Sequence, residues 1–232
     1  MNPEIFREYD IRGIAGRDIT VDEVRLLGQG IGTFMRRSGC RHLAVGRDCR
    51  VSSDAFAEAL IRGLAATGCQ VTDIGVCPTP VLYFSIHHLG RDGGVMVTAS
   101  HNPKAYNGFK ICKGVDSVHG EDLQAIREIV ASERFAQGDG AVSTAAVISE
   151  YQRFIEENIT LARPLKVGID AGNGTAGVVA APILKNLNCE VHELYCEMDG
   201  TFPNHEADPT VLGNMEDLIT LVREKGLDVG IG

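Results

Sequence analysis

The stretch GGVMVTASHNP (93–103) joins a short apolar run to a polar loop that carries a serine and a histidine. Such a run is typical of a strand buried on both faces, and we predict a strand over residues 93–100. Ser100 then lies where this strand ends. Ligands bind at the carboxyl ends of strands in open parallel sheets. The stretch therefore predicts a buried strand that delivers a candidate functional loop.

The residues on the N-terminal side of this strand alternate between helix and strand patterns. Thr20 and Glu23 form a capping box ahead of a helix with apolar residues at three- and four-residue spacing. A short strand is predicted over 42–48, a helix capped by Ser53 follows it, and a further strand covers 70–76. Strands separated by helices indicate βαβ units and a mostly parallel sheet.

A change of composition predicts two domains. Residues 132–148 are small and polar, so we place the boundary near residue 145. A helix over 213–226 and a strand begun at 227–232 belong to the second part. The predicted fold is α/β, with two consecutive three-layer units, 1–145 and 146–232. Their sheets are mixed and mostly parallel, and the second is incomplete at its C-terminus.

Charge and composition exclude several classes of function. The 232-residue chain has 22 basic and 31 acidic side chains, for a net charge of −9. An acidic surface does not attract nucleic acid or an anionic membrane. No apolar run approaches the roughly 18 residues of a membrane span, and no signal-peptide core is present. The seven cysteines form no CxxC pair, which predicts reduced thiols and a cytoplasmic location.

The loop after the predicted strand combines several reactive groups. His101 and Asn102 follow Ser100, Gly108 permits close approach of the backbone, and Lys110 returns a cation to the same region. A hydroxyl, an imidazole, an amide and an ammonium suit a nucleophile that carries or accepts a phosphoryl group. The alternative is a polar turn whose side chains only bond the backbone.

A second cluster, FREYDIRG (6–13), lies near the start of the chain. Its two arginines, Arg7 and Arg12, and the hydroxyl of Tyr9 can bind a phosphate group. The alternative is that both arginines are solvated and pair with Glu8 and Asp10.

A glycine turn supports a competing function. Residues 172–177 read GNGTAG, follow a predicted strand and open a predicted helix. Glu190 and Glu193 lie at roughly the spacing of a ribose-binding acid. The turn therefore leaves open a non-catalytic module that binds NAD or another nucleotide, although such turns often serve only close packing.

Taken together, the motifs resemble those of the α-D-phosphohexomutases in order and spacing, over essentially the whole chain. The opening EYDIRG is closest to the phosphomannomutase/phosphoglucomutase branch. The pair TASHNP and NGFK is the most specific part of the resemblance. The motifs are FREYDIRG (6–13), GRD (46–48), PTPV (78–81), TASHNP (98–103), NGFK (107–110), DAGNG (170–174) and FPNH (202–205).

The resemblance implies the first domain and most of the second domain of a four-domain mutase. The implied enzyme interconverts the 1-phosphate and the 6-phosphate of a hexose, either mannose or glucose. The implied reaction passes through a phosphoserine and a hexose 1,6-bisphosphate. The implied catalytic residues are Ser100, His101, Lys110 and Arg12. Tyr9 and Asn102 match substrate-binding positions. Under this resemblance the glycine turn is an ordinary family feature without a nucleotide.

The resemblance also implies Mg²⁺, held by the phosphate on Ser100 and by an acidic DGDxDR loop expected beyond Gly232. Hexose 1,6-bisphosphate is the implied activator, and sugar phosphates are the implied partners. We expect a monomer or weak dimer that binds neither nucleic acid nor membrane, and we expect this chain alone to be inactive. The preferred hexose and the phosphorylation state of Ser100 stay open.

Overall fold

The computed structural model describes residues 1–232, which form two compact units. The first unit comprises Met1–Ala99 and Ala105–Ala146, and the second comprises Ser100–Lys104 and Val147–Gly232. The elements of the first unit are β1 (Ile11–Ile14), α1 (Val21–Arg37), β2 (His42–Arg47), α2 (Ser53–Ala66), β3 (Gln70–Val76), α3 (Thr79–His88), β4 (Gly93–Val97), β5 (Tyr106–Lys113), β6 (Asp116–Ser117), α4 (Glu121–Ser132) and β7 (Val142–Thr144).

The first unit is built on one mixed sheet with the strand order β1-β5-β4-β2-β3-β7, and β6 pairs with β5. β2 runs parallel to β3 and β4, and β3 runs parallel to β7. β5 is antiparallel to both β1 and β4. The parallel strands β2, β3 and β4 confirm the βαβ prediction. β5 runs antiparallel to β4 and contains the NGFK motif (107–110).

Helices cover both faces of this sheet. Val95 and Val97 belong to the large core shared with α1, α2 and α4. Side chains alternate between the faces of a strand, so the intervening Met96, which is also fully buried, points the other way. There a side chain added at Gly94 would meet Leu82 and Ile86 of α3. β4 is thus buried on both sides, as its apolar sequence predicts.

Glycines allow α1 and α2 to pack at backbone distance. A Cβ atom on Gly63 would overlap the carbonyl oxygen of Arg25, and one on Gly28 would lie 2.5 Å from the carbonyl oxygen of Leu60. The helices therefore touch through their backbones, and neither position has room for a side chain.

Gly63→Ala is expected to destabilise the first unit by about 3 kcal/mol, because the added methyl group forces the two helices apart. Chemical denaturation monitored by circular dichroism measures the loss. Gly213→Ala, where the added methyl group meets no atom within 4 Å, serves as the control and should change stability by under about 0.5 kcal/mol. Equal effects of the two substitutions would contradict the close packing of the helices.

Two local predictions about the first unit are wrong. β4 ends at Val97, not at residue 100, so Ser100 lies in the loop beyond the strand. Ser53 is the first residue of α2 and does not cap it, because its hydroxyl donates to Asp48 instead. The polar stretch 132–148, for which the sequence predicts no strand or helix of its own, contains β7, which pairs with β3 and is exposed at the sheet edge.

The second unit contains α5 (Ile148–Asn158), β8 (Lys166–Asp170), α6 (Gly177–Asn186), β9 (Glu190–Leu194), α7 (Glu216–Lys225) and β10 (Val229–Ile231). Its three strands form a parallel sheet in the order β10-β8-β9. The helix predicted from residue 213 begins as a 3₁₀ turn over Leu212–Met215. The two units together confirm the predicted α/β class with mixed, mostly parallel sheets. None of the helices is both long and apolar enough to cross a membrane.

Candidate active site

Ser100 lies in the loop between β4 and β5, and its backbone is left-handed, with φ at 56°. This conformation is strained for any residue other than glycine, and such strain is concentrated at functional sites. The Ser100 side chain is exposed, and its Oγ lies 3.4 Å from His101 Nδ1. Asn102, the next residue, is half-buried. The hydroxyl is thus open to solvent with an imidazole at its side, as a phosphoryl-accepting nucleophile requires.

Three backbone segments meet at Gly108. Arg12 of β1 stands opposite Gly108 in the strand register, and the amide of Thr98 donates to the Gly108 carbonyl at 2.9 Å. A Cβ atom on Gly108 would overlap the Ile11 carbonyl and would lie 3.2 Å from Arg12 Cα. The predicted role of Gly108 in close backbone approach is confirmed.

The Arg12 side chain is largely buried. Its guanidinium forms an ion pair with Asp10, and only 14% of the side chain is exposed. Arg12 Nε is buried without a hydrogen-bond partner, an arrangement that costs free energy and calls for an explanation at a functional site. For Arg12, the alternative interpretation is correct about the Asp10 partner and wrong about a solvated side chain, whereas Arg7 is exposed as that interpretation expects.

Lys110 lies on the same face of the sheet as Arg12. Lys110 is two residues after Gly108 on β5, so the two residues share a face, and Gly108 pairs with Arg12. This diagonal relation puts the two residues roughly 7–8 Å apart, with their Cβ atoms somewhat closer, and Lys110 is half-buried. Tyr9 is 72% exposed, and its ring lies 6.1 Å from that of His119. The structure therefore brings Arg12 and Lys110 together and leaves Tyr9 at the surface.

A buried polar corner, which the sequence did not assign, lies at the carboxyl end of β2. Arg50 is 3% exposed; its Nε donates to Asp48 Oδ2 at 3.1 Å, and one terminal nitrogen donates to the Tyr106 carbonyl at 3.1 Å. Asn107 is fully buried and its amide nitrogen lies 3.0 Å from Ser53 Oγ. The only sequence signals for this corner were two motifs. GRD (46–48) lies at the end of β2, and NGFK (107–110) lies near the start of β5.

In the second unit, the DAGNG and FPNH motifs meet. His205 Nε2 lies 3.1 Å from a carboxylate oxygen of Asp170, and His205 Nδ1 lies 2.8 Å from the Glu206 carbonyl. The amide nitrogen of Asn204 donates to Asn173 Oδ1 at 2.7 Å. Asp170 and His205 also line a pocket of about 110 Å³. Two segments that are distant in sequence thus form one polar cluster at the carboxyl end of β8.

The surroundings of His205 favour its charged form. Burial lowers the pKa of His205, but the hydrogen bond to the Glu206 carbonyl and the adjacent Asp170 carboxylate outweigh burial and raise the pKa above its usual 6.5. Both ring nitrogens face oxygen acceptors, which an imidazolium satisfies by donating from each. The Asp170–His205 pair is therefore an ion pair when the histidine is protonated.

Stability of the second unit is expected to fall as pH rises through the folded-state pKa of His205, which lies above 6.5. Because this pKa is raised by folding, the stabilisation is fully present below the unfolded-state value and is lost above the folded-state value. Denaturant unfolding between pH 5 and pH 9 should show this slope, and His205→Gln should remove it. His192→Gln, at a surface pair with Glu190, should keep the slope. A slope unchanged in His205→Gln would contradict the assignment.

The glycine turn serves packing within the second unit. A Cβ atom on Gly177 would overlap the backbone of Cys196, and one on Gly172 would lie 3.3 Å from the His205 ring. The space next to the turn is therefore occupied by residues of this chain. The nucleotide-binding alternative finds no support in this geometry.

The chain's own residues do not fit a magnesium site by themselves. No three His, Cys, Asp or Glu side chains come together in a cluster that could hold a metal ion. Mg²⁺ requires several oxygen ligands in near-octahedral geometry, and the only ligand predicted here is a phosphate on Ser100.

Two domain families match the sequence in succession. Residues 3–137 match "Phosphoglucomutase/phosphomannomutase, alpha/beta/alpha domain I" and residues 149–232 match domain II of the same family. The chain belongs to the phosphoglucomutase/phosphomannomutase family. The resemblance inferred from the motifs is confirmed.

Individual members of the phosphoglucomutase/phosphomannomutase family are similar along almost the whole chain. A Pseudomonas aeruginosa phosphomannomutase/phosphoglucomutase is 43% identical over 227 residues, which cover 98% of this chain and 49% of the relative. A Neisseria meningitidis phosphoglucomutase is 40% identical, with 98% and 50% covered. A crystal structure of a family protein from Burkholderia thailandensis superposes with a TM-score of 0.95 at 37% identity, over 99% of this chain and 52% of that one. The chain therefore spans about half the length of these relatives.

Proposed function

We propose that this chain is the N-terminal half of a hexose phosphate mutase that interconverts the 1-phosphate and 6-phosphate of mannose or glucose. Ser100 carries the phosphoryl group, and a hexose 1,6-bisphosphate is both intermediate and activator. Arg12, His101 and Lys110 are its catalytic partners, and Tyr9 and Asn102 contact the sugar phosphate. Family membership and the names of the similar proteins support this proposal.

The observation that carries the proposal is the conformation of Ser100. The residue is exposed, left-handed and next to an imidazole, in the loop that follows the completely buried strand β4. A strained backbone costs free energy, and a serine that only completes a turn has no need of it. For a nucleophile the strain is useful, because it presents the hydroxyl to the substrate. Arg12 and Lys110, on one face of the adjoining strands, supply the positive charge that a phosphate requires.

The proposed reaction consists of two phosphoryl transfers. In the first, the P–O bond at Ser100 Oγ breaks as the free hydroxyl of a hexose monophosphate bonds to phosphorus, which yields hexose 1,6-bisphosphate. The hydroxyl proton is relayed by Lys110 to the departing Ser100 Oγ, which ends as a neutral hydroxyl, while Arg12 balances the charge on the transferring group. In the second transfer, Ser100 Oγ bonds to the other phosphorus atom of the bisphosphate as the P–O bond to the sugar breaks, and the serine proton is relayed by Lys110 to that sugar oxygen. The product is the isomeric monophosphate, and the phosphoserine is restored.

A coupled assay of the full-length protein tests the function. Mannose 1-phosphate and glucose 1-phosphate are supplied separately, with Mg²⁺ and hexose 1,6-bisphosphate, and formation of each 6-phosphate is followed. We expect conversion of at least one sugar, stimulated by the bisphosphate. No conversion of either sugar by a folded protein would refute the proposal.

The remaining sequence predictions belong to the same proposal. We place the mutase in the cytoplasm, as a monomer or weak dimer that takes small sugar phosphates, with Mg²⁺ as its metal. The net charge of −9 and the lack of a CxxC pair among the seven cysteines are in keeping with this environment.

A further inference from the structure

Arg50 is the only basic residue that the fold buries completely, at 3% exposure. Its guanidinium holds Asp48 through Nε and the Tyr106 carbonyl through a terminal nitrogen, both at 3.1 Å. Burial lowers the pKa of Arg50 even against the attraction of Asp48, so the surroundings disfavour its charge. Buried ion pairs of this kind contribute little to net stability, because desolvation offsets their attraction. Stability alone therefore does not explain why an arginine is placed here.

Asn107 connects the same corner to the start of α2. Its amide nitrogen donates to Ser52 Oγ at 2.8 Å and to Ser53 Oγ at 3.0 Å. Ser53 Oγ in turn donates to Asp48 Oδ1 at 2.5 Å. Asn107 Oδ1 accepts from the Gly108 amide at 2.8 Å. Every polar atom of this amide is therefore occupied, and the hydrogen bonds lead back to Asp48.

The corner holds the segments on both sides of the Ser100 loop. Before the loop, the Asp48 amide donates to the carbonyl of Val97, the last residue of β4, at 2.9 Å. After the loop, Arg50 binds the carbonyl of Tyr106, the first residue of β5. The short segment 48–50 therefore fixes both ends of the loop. The backbone of Asp48 holds the first end, and the side chain of Arg50 holds the second. A left-handed residue such as Ser100 persists only where its surroundings determine its backbone.

We propose that Arg50 and Asn107 are positioning residues for Ser100, which fix both ends of its loop so that the serine hydroxyl is presented for phosphoryl transfer. The inference rests on the proposed function. The planar guanidinium is needed because it holds a carboxylate and a carbonyl at once, which the single ammonium of a lysine does not reproduce.

Arg50→Lys tests the proposal, with Arg47→Lys as a matched control. Arg47 is the last residue of β2, three positions before Arg50. Its guanidinium pairs with Asp54 and Asp73 and not with the ends of the loop. In the full-length mutase we expect Arg50→Lys to lower kcat at least tenfold and to leave KM within twofold, since substrate contacts remain. Amide exchange at Asp48 and Thr98 should rise at least tenfold, with Val95 of β4 unchanged. Arg47→Lys should match wild type in both measurements.

The outcomes separate this proposal from the proposed function. A wild type without mutase activity refutes the function, and the positioning role with it. An active wild type and an Arg50→Lys variant with unchanged kcat overturn the positioning role alone. If Arg50→Lys does not fold, Ser52→Ala, which removes one acceptor of Asn107, is measured instead. It should lower kcat at least threefold at constant KM, and an unchanged kcat would overturn the proposal.

Discussion

Ser100→Ala is expected to abolish phosphate uptake from a hexose 1,6-bisphosphate by the full-length mutase. No other group at the site is predicted to form the phosphoester, and alanine retains the Cβ atom, so the fold and the left-handed backbone are unchanged. Intact-protein mass spectrometry after incubation with the bisphosphate measures the uptake. Thermal unfolding should show the same midpoint for variant and wild type.

Ser117→Ala is the control for this experiment, since Ser117 is an exposed serine on β6. It should take up phosphate as wild type does. Ser100→Gly should also lose the phosphate, but it should be more stable by about 1 kcal/mol, because glycine adopts the left-handed conformation without strain. Equal uptake by wild type and Ser100→Ala would remove the nucleophile from the proposed mechanism.

Lys110→Ala is expected to lower the kcat of the full-length mutase by a factor of 10² or more. The loss follows because the side chain both exchanges the hydroxyl proton and stabilises the charge of the transferring phosphate. Lys110 is half-buried on a strand face next to Arg12, so its truncation opens no core cavity. Stability should change by under about 1 kcal/mol. Steady-state kinetics and denaturant unfolding give the two quantities.

Lys113→Ala is the matched control, three residues further along β5. Its ammonium pairs with Asp122 at 3.5 Å, a half-exposed contact that contributes little. We expect kcat within twofold of wild type. A comparable loss of kcat in both variants, or a loss of cooperative unfolding in Lys110→Ala, would assign Lys110 to the scaffold instead.

The candidate site was partly predictable because its signals are local. A strand that is apolar at every position is recognisable when it stands alone, and β4 is buried along its whole length. The polar residues directly after it then mark the loop, since a parallel strand of a covered sheet ends where ligands gather. The capping box at Thr20 is also local, and both of its hydrogen bonds are present. Ser53 shows where local signals fail to predict the structure. A hydroxyl at a helix start can cap the helix or bond to side chains from elsewhere in the fold, and the sequence does not say which. Asp48, five residues earlier, and Asn107, on β5, take the place of the expected cap.

The sequence by itself determined the fold class, the family and the place of Ser100, because apolar periodicity and motif order are properties of neighbouring residues. Only the tertiary structure decided which polar residues work together. Arg12 meets Gly108 through an antiparallel register, and Arg50, just after β2, reaches the carbonyl of Tyr106 on β5. The Asp170–His205 pair forms over 35 positions of sequence. A buried polar group needs a partner in space, and the packing of strands and helices selects that partner.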